Sequence, residues 1–397
     1  MREEFAVLDL GSGKINFVVG VKSVDNIFFV KNFATAEYSG YFNGEWIAPE
    51  LLKNDIAEVI KKSKFNYKIK TLFVAVPSEF TFARTSGILS DAGRSKTVTS
   101  STIKDIHKKA DAFKVKGYTA LCSSAIEYVL DGSRRTLHPI GEIAKNVYAN
   151  MSYIFCKEEF IARIYKIAME LGFKYVRFVD GIWAEGTQLI DEDTRIDDVV
   201  MIDVGYASTT FTLIKGEGIK YKKDYPFGSG FIIDALAKAL EVEYDVAKSL
   251  MGKVTLNIES DSTSVYQYEI GNRKYECSAK EINSFLHGYI LENLVDFINA
   301  CIKEVKSNDE LSVAQNSFDG AAGYSITPDT RFYLVGGGLS EYRGAANFFA
   351  RALGRDVSLI TADTAGWDKP YFASMFATLE IADKMSQKNS ILERLFR

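Results

Sequence analysis

The sequence predicts an α/β protein in which one structural unit occurs twice. The chain has 397 residues, which is too long for a single hydrophobic core and implies two or more domains. An apolar strand ending in Asp-x-Gly, a turn of small residues and a return strand first appear around Asp9. The same pattern occurs again around Asp203, about two hundred residues later. Two copies of this pattern are far less likely to arise by chance than one copy.

The composition is that of an ordinary globular protein. Hydrophobic residues make up 47% of the chain, charged residues 25%, and the formal net charge of −4 gives no electrostatic case for nucleic-acid binding. Four cysteines and three histidines are scattered without a CxxC pair, so we expect no zinc site. No signal peptide or apolar run of membrane-spanning length is seen, so a cytoplasmic location is expected.

The first copy of the unit is "FAVLDLGSGKINFVVGVK", residues 5–22. Because β-branched and aromatic residues follow Lys14, the turn should return as a strand rather than open a phosphate-binding helix. A helix that starts at Pro49, with Leu52, Ile56, Val59 and Ile60 on one apolar stripe, comes next, and a buried strand at "TLFVAVPS" follows it. The pattern then loosens over residues 84–159, which we interpret as an insertion containing the helix "TIKDIHKKADAF".

The second copy is "DDVVMIDVGYASTTFTLIKGEGIKY", residues 197–221, and it follows the helix "FIARIYKIAMELG" and the strand "KYVRFV". Further on, "SAKEINSFLHGYILENLVDFINACIKEVK" predicts one long amphipathic helix. The segment "RFYLVGGGLSEYRGAANFFARALG" predicts a strand, a glycine turn and a helix. Three glycines in a row let the backbone approach a flat ligand closely, because no Cβ intervenes.

Two such hairpins facing each other could hold a polyphosphate between their turns. The lysine after the first turn would neutralise a phosphate oxygen, and Asp9 and Asp203, each near a strand end, suit a hydrated Mg²⁺. Strand-end capping for the aspartates, a solvated turn lysine and an ordinary glycine turn remain the alternatives. The backbone N–H donors would come from Gly11, Ser12, Gly13, Tyr206, Ala207 and Ser208.

At these motifs the chain resembles the actin, DnaK-type chaperone and sugar-kinase ATPase superfamily. "LDLGSGK" is similar to the first phosphate motif of that superfamily, "IDVGYASTTF" to the second and "LVGGGLSEYRG" to the adenosine motif. Within it the chain most resembles the bacterial cell-division family FtsA, through "DLGSGK", "EYVLDGSRRTLHPIGEIAKNV" and "YPFGSGFIIDALAKAL". The resemblance implies an actin-like (ribonuclease-H-like) α/β fold of two duplicated lobes, with ATP and Mg²⁺ as cofactors.

The resemblance also implies domain limits. The first lobe would comprise residues 1–83 and 160–194, with an FtsA-type subdomain inserted at 84–159. The second lobe would comprise 195–233 and 326–383, with a subdomain inserted at 234–325. An amphipathic membrane-targeting tail would occupy 384–397, with Ile391, Leu392, Leu395 and Phe396 on its apolar side. The alternative for this tail is a helix end that packs on its own domain.

The implied roles follow the motifs. Catalysis, and Mg²⁺ binding through water, would fall to Asp9 and Asp203. The nucleotide would be contacted by Gly11, Ser12, Gly13, Lys14, Gly205, Tyr206, Ala207, Ser208, Gly228, Gly230, Lys248, Gly336, Gly337, Gly338 and Leu339.

Several positions depart from the family pattern. Tyr206-Ala207 replaces the usual Gly-Gly, and Thr210 replaces an aspartate. Lys248 lies in a helix that has lost the charged pair contacting ribose. Gly181 stands where a glutamate or glutamine should orient the attacking water, with Asp180 and Glu185 only nearby. We therefore expect nucleotide binding with slow or absent hydrolysis.

The partners implied by the resemblance are the C-terminal tail of the tubulin-like protein FtsZ, copies of the chain itself in filaments, the inner leaflet of the cell membrane at the division septum, and other division proteins. Lys303 and Lys306 could face the acidic FtsZ tail or could simply be solvated. Three alternatives stay open. They are a PilM-type scaffold that binds a peptide of a membrane protein in a pilus or secretion system, a small-molecule kinase of the superfamily, and a structural protein without nucleotide.

Overall fold

The computed structural model of the protein describes residues 3–23, 27–66, 68–92, 96–110, 113–256, 263–314 and 326–395. Side chains are described for these residues except in 308–314 and 387–395. Two five-stranded mixed sheets form the centres of two lobes, and a four-stranded sheet is inserted into the first lobe.

The chain begins with long strands, because β-branched and aromatic residues continue on both sides of the first glycine turn. The first helix buries Leu52, Ile56 and Val59, the apolar stripe that the sequence predicts. In chain order the elements are β1 (Glu4–Leu10), β2 (Lys14–Lys22), β3 (Phe28–Glu37), β4 (Tyr41–Phe42), β5 (Glu45–Trp46), α1 (Leu52–Lys62) and β6 (Thr71–Val76).

The inserted unit is an antiparallel sheet with its own hydrophobic core. Ile106 of its helix packs among Val147, Met151 and Phe155, which lie on one long and mostly buried strand of this sheet. Its elements are β7 (Thr81–Asp91), α2 (Ser100–Ala110), β8 (Tyr118–Leu130), β9 (Arg134–Thr136) and β10 (Asn146–Lys157), with the strand order β7–β10–β8–β9.

The chain then returns to the first lobe through α3 (Glu158–Glu170), β11 (Tyr175–Asp180), α4 (Gly181–Leu189) and α5 (Glu192–Arg195). The second lobe begins with β12 (Val199–Val204), β13 (Thr209–Lys215), β14 (Gly218–Tyr225), α6 (Ser229–Leu240) and α7 (Tyr244–Met251).

The predicted long helix of the second insertion is interrupted by a π-helical segment, Leu291–Val295. This segment buries Leu294 and Val295, so the apolar face stays in the core through the interruption. The remaining elements are β15 (Val265–Ile270), β16 (Arg273–Ser278), α8 (Ala279–Ile290), α9 (Asp296–Ala314), β17 (Phe332–Val335), α10 (Ala345–Leu353), β18 (Val357–Leu359) and α11 (Ala373–Leu395).

The two central sheets share one topology. Their strand orders are β3–β2–β1–β6–β11 and β14–β13–β12–β17–β18. In the first, β1 is antiparallel to β2 and parallel to β6, and β12 has the same relation to β13 and β17. Asp9 pairs with Asn16 across its hairpin and Asp203 pairs with Thr210 across the equivalent one. The two aspartates therefore occupy corresponding positions.

Helix α11 packs on the first lobe. Met375, Phe376 and Leu379 share a core with Phe5 and Val7 of β1, although the sequence analysis assigns residues up to 383 to the second lobe. The predicted tail at 384–397 begins inside this helix. Phe396 lies outside the described residues, as do the side chains of Ile391, Leu392 and Leu395. Within the described part of the chain no helix is both long enough and apolar enough to cross a membrane.

The inserted sheet also contacts the second lobe, at the β13–β14 hairpin. The backbone N–H of Glu217 donates to the carbonyl of Ala125 at 3.0 Å, and the Ser152 hydroxyl donates to the carbonyl of Ile219 at 2.8 Å. Beside them the buried Glu127 carboxylate accepts a hydrogen bond from Lys215 Nζ at 2.7 Å. The insertion thus ties the two lobes together, and we call this contact the brace.

We predict that Glu127→Gln destabilises the fold by about 1–3 kcal/mol, because the largely buried Lys215 loses its anionic partner and the more exposed Arg135 loses a second, weaker pair. Burial raises the pKa of Glu127, but these two cations outweigh burial and hold the pKa below its usual 4.5. The stabilisation is therefore present above about pH 4.3, the pKa of a glutamate in the unfolded chain. It is lost as the pH falls through the lower pKa of Glu127 in the folded protein.

Urea unfolding at pH 7 and pH 3.5 measures this. The matched control is Glu304→Gln, which breaks the Lys223 pair whose side chains are 47% and 44% exposed and should cost under about 1 kcal/mol. Equal effects of the two substitutions at pH 7 would contradict the role of the brace.

Candidate functional site

The turns after β1 and β12 face each other. The backbone N–H of Gly11 donates to the carbonyl of Lys14 at 2.9 Å, and that of Gly205 donates to the carbonyl of Ser208 at 2.8 Å, so the two turns are closed by equivalent hydrogen bonds. The turns also touch, because the N–H of Ala207 donates to Ser12 Oγ at 3.1 Å. The duplicated hairpins therefore meet at one place.

A cavity of about 520 Å³ lies between the lobes at this meeting point. Its volume falls in the range of small-molecule sites, roughly 300–1,000 Å³. The residues that the sequence analysis assigned to nucleotide or metal and that line the cavity are Asp9, Gly11, Ser12, Gly13, Lys14, Asp203, Gly205, Tyr206, Ser208, Lys248, Gly336 and Gly337.

Five of the assigned residues lie behind the cavity wall. Ala207 contributes its N–H to Ser12, and the N–H of Gly338 donates to the carbonyl of Val204 at 2.7 Å. A Cβ on Gly228 would lie 2.5 Å from the Gly205 carbonyl oxygen, and one on Gly230 would touch the Tyr206 ring at 3.0 Å. Leu339 is fully buried in the core of the second lobe. These residues shape and support the wall.

Asp9 and Asp203 are buried carboxylates at equivalent strand ends. Asp9 accepts hydrogen bonds from Asn16 Nδ2 at 3.0 Å and from Ser374 Oγ at 3.2 Å, while burial raises its pKa. Burial, followed by the charges of Asp224 and Asp9, raises the pKa of Asp203 to about 7. Two acids in this state favour a proton or a cation between them.

The loop after β17 closes on Asp203. Gly336 has φ +89°, and a Cβ there would lie 2.0 Å from Asp203 Oδ1. Only glycine satisfies both the left-handed backbone and the close approach. This loop therefore places backbone atoms against the Asp203 carboxylate and also along the cavity wall.

Glu185 is a third acid in the cavity, which the sequence analysis named only as a neighbour of the expected catalytic position. It lies on α4, and among the described residues its buried Oε2 atom has no hydrogen-bond partner. Burial, followed by the charges of Asp203 and Asp9, raises its pKa well above 4.5. Its place on the helix, one turn beyond Gly181, is the signal that could have identified it.

The carboxylate of Asp180 is occupied by contacts with α4, Thr81 and Lys222. It caps α4 by accepting from the backbone N–H of Trp183 at 2.8 Å, it accepts from the Thr81 hydroxyl, and Lys222 Nζ lies 3.7 Å away. Gly181, where the sequence analysis expected the water-orienting residue, begins α4 and lines the cavity without a side chain. Of these neighbouring positions, Glu185 presents its carboxyl group to the cavity.

Tyr206 packs over the first turn. A Cβ on Gly13 would lie 2.7 Å from Tyr206 Cβ and Cγ, and the Tyr244 hydroxyl donates to the Tyr206 hydroxyl at 3.0 Å. The ring therefore runs from Gly13 towards α7 and forms part of the wall. The cavity remains open beside it.

Charged side chains join the lobes around the cavity. Lys248 Nζ, assigned to the nucleotide from the sequence, pairs with the Glu37 carboxylate of the first lobe at 2.8 Å. Lys222 Nζ donates to the carbonyl of Ser78 at 2.7 Å, and the Ser208 hydroxyl donates to Glu79. These contacts link the two lobes around the cavity, and the Lys248–Glu37 pair is the solvent-exposed one among them.

A magnesium ion fits this donor set. In the described ranges no cluster of three or more His, Cys, Asp and Glu side chains forms a metal site. Mg²⁺, however, usually keeps several waters and takes only one or two carboxylates. Asp9 and Asp203 meet that need, and the unpartnered Glu185 oxygen gives a further acceptor for a bound water.

No protein-family model matches the chain, and no curated protein matches it. Solved structures do. A PilM–PilN type IV pilus biogenesis complex aligns with a TM-score of 0.58 at 14% identity, covering 96% of this chain and 99% of that one. MreB 5 of Spiroplasma citri bound to AMPPNP aligns at 0.54 and 12%, covering 98% and 99%. A MamK double helical filament aligns at 0.53 and 12%, covering 96% and 98%.

Identities this low establish the fold alone. The alignments nevertheless run over almost the whole of each chain, and they agree with the duplicated sheet topology and the interlobe cavity. The predicted fold class is therefore confirmed: the chain has the α/β fold of the actin-like ATPases.

Proposed function

We propose that this protein binds Mg²⁺ and a nucleoside triphosphate between its lobes and works as an actin-like adaptor that assembles with partners. The observation that carries the proposal is the meeting of two equivalent Asp-tipped hairpins, one from each lobe, at a single cavity. ATP is the nucleotide that the sequence motifs imply. Because both lobes contribute to the nucleotide site, the contact between the lobes would depend on whether the nucleotide is bound.

Each part of the cavity has a role in this proposal. The N–H groups of Gly11, Gly205 and Ala207 are engaged by the turns' own hydrogen bonds, contrary to the expectation that Gly11 and Ala207 donate to the ligand. Other backbone N–H groups of the two turns would donate to phosphate oxygens, and the exposed Lys14 adds a positive charge. Asp9 and Asp203 hold the metal through water. The metal supplies charge neutralisation for the phosphates. Gly336 and Gly337 form the surface against which the base rests.

The same geometry favours slow turnover. Gly181 has no side chain with which to orient a water, and Tyr206 occupies the place of a glycine next to the phosphate turn. Glu185 is then the acid available to hold a water, although burial and its acidic neighbours favour its protonated form. A protonated acid is a poor general base.

The finer proposal is an FtsA-like role. The chain would polymerise, lie on the inner face of the cell membrane through its C-terminal tail, and recruit an FtsZ-type polymer to the division septum. The sequence motifs and the apolar side of the tail support it. Four or five half-buried apolar side chains give weak, reversible membrane binding, which a filament would strengthen by avidity.

The second candidate is a PilM-type scaffold that binds a peptide of a membrane protein. The alignment with a PilM–PilN complex at a TM-score of 0.58 favours it. A small-molecule kinase remains the third possibility, since Glu185 offers a carboxyl group in the cleft. ATP turnover that needs an added acceptor would identify that kinase.

We predict that binding of Mg²⁺ and ATP is about tenfold weaker at pH 6 than at pH 8, because the metal needs the ionised form of Asp203, whose pKa is about 7. In Asp203→Asn this pH dependence flattens and affinity falls. Calorimetric titration with and without Mg²⁺ measures both, with the exposed Asp193→Asn as matched control.

The unliganded Asp203→Asn variant should also melt about 2 °C or more above wild type at pH 8. The folded protein binds the Asp203 proton more tightly than the unfolded chain, so the wild-type contribution to stability falls as the pH rises from about 4 to 7. Absence of nucleotide binding in wild type at both pH values would end the proposal.

We predict that Leu392→Asp reduces co-sedimentation with anionic vesicles roughly tenfold, because it places a charge on the apolar side of the tail. Ser390→Asp adds the same charge on the other side of the helix and should leave binding unchanged. Removal of residues 387–397 should abolish it. If removal has no effect, the membrane-tether role fails and the scaffold candidate gains.

A further inference from the structure

Glu341 lies at the base end of the cavity with no partner of its own. It follows β17 and the glycine run, and it lines the cavity with Gly337 and Tyr371. Among the described residues its carboxylate forms neither a hydrogen bond nor an ion pair. Both Gly337 and Glu341 are exposed, so a ligand can reach them.

Glu341 lies beside bare backbone and an aromatic residue. A Cβ on Gly337 would lie 3.1 Å from Tyr371 Cβ and 3.4 Å from Glu341 Oε1, so the carboxylate and the tyrosine both adjoin the Gly337 backbone. Tyr342 lines the same end. A base resting on the glycines would have an acidic group at its edge.

A carboxylate accepts hydrogen bonds and cannot donate them. Guanine presents two parallel donors on its Watson–Crick edge, N1–H and the N2 amine, which match the two carboxylate oxygens. Adenine presents one donor, the N6 amine, beside the acceptor N1, which a carboxylate repels. Hypoxanthine has the N1–H donor but lacks the N2 amine. The three bases therefore offer two, one and one donors, with only guanine fully complementary.

We propose that Glu341 makes this site prefer guanine nucleotides, through a bidentate contact between its carboxylate and the N1–H and N2–H groups. This inference rests on the proposed function, since it names the base of the nucleotide held in the same cavity. Bidentate pairs of this kind are charge-assisted and directional. ATP still binds through its phosphates, with lower affinity.

Lys14 and Lys369 carry the nearby positive charges. The partial burial of Glu341 raises its pKa above 4.5, while these two cations lower it by less. Lys14 Nζ lies 5.4 Å from the centre of the Tyr371 ring, so it is placed over that ring rather than in an ion pair with Glu341. The carboxylate therefore keeps its acceptor capacity for a ligand.

The test compares GTP, ITP and ATP, each with Mg²⁺, by calorimetric titration of the full-length protein at pH 8. We expect GTP to bind about tenfold more tightly than ITP or ATP, the lower part of the range for a bidentate base contact, because the site is partly exposed. GTP and ITP differ only in the N2 amine, so their ratio isolates this contact.

Glu341→Gln should reverse the order of GTP and ATP. A glutamine amide donates to adenine N1 and accepts from the N6 amine, and it loses one acceptor for guanine. Glu269→Gln, on an exposed hairpin strand, is the matched control and should keep the wild-type order.

The outcomes separate the two proposals. If no nucleotide binds, the proposed function fails. If all three bind with equal affinity, or Glu341→Gln leaves their order unchanged, nucleotide binding stands and the assignment to Glu341 is overturned.

Discussion

The burial of three carboxyl groups around one cavity is the constraint on which this structure depends. Asp9 and Asp203 end equivalent strands, Glu185 approaches them from α4, and burial raises the pKa of all three. A purely structural core would place apolar groups here. The ionised forms of these acids are disfavoured by burial, so a cation held by Asp9 and Asp203 would offset that cost, and such a cation would in turn attract a polyphosphate. The duplication of the lobes produces this arrangement, because each hairpin contributes one aspartate.

Two sets of contacts join the lobes, one at the cleft and one at the brace. At the cleft the contacts are polar, as between Lys248 and Glu37, and a ligand that enters between the turns can compete with them. At the brace, Glu127 and Lys215 are joined beside backbone hydrogen bonds that no ligand reaches. The inserted sheet therefore joins the two lobes at a place separate from the cleft.

The sequence predicted those features that depend on local pattern. The duplicated hairpins and the stripe of α1 follow from periodicity and from short motifs, whereas the actin-like fold class was implied by the resemblance of those motifs to a known superfamily. Features that depend on how separate helices and lobes pack against each other could not be predicted from the sequence. The Lys248–Glu37 pair joins residues 211 positions apart, and the direction of Glu185 depends on how α4 packs against α11. The π-helical break at Leu291–Val295 has no local signal, since the apolar spacing continues through it.

A crystal structure with Mg²⁺ and AMPPNP tests the central claim most directly. We expect the phosphates to accept hydrogen bonds from the backbone of both turns, after Asp9 and after Asp203, with the cation and its waters between the two carboxylates. A nucleotide held by one lobe alone, or bound outside the cavity at saturating concentration, would contradict the account.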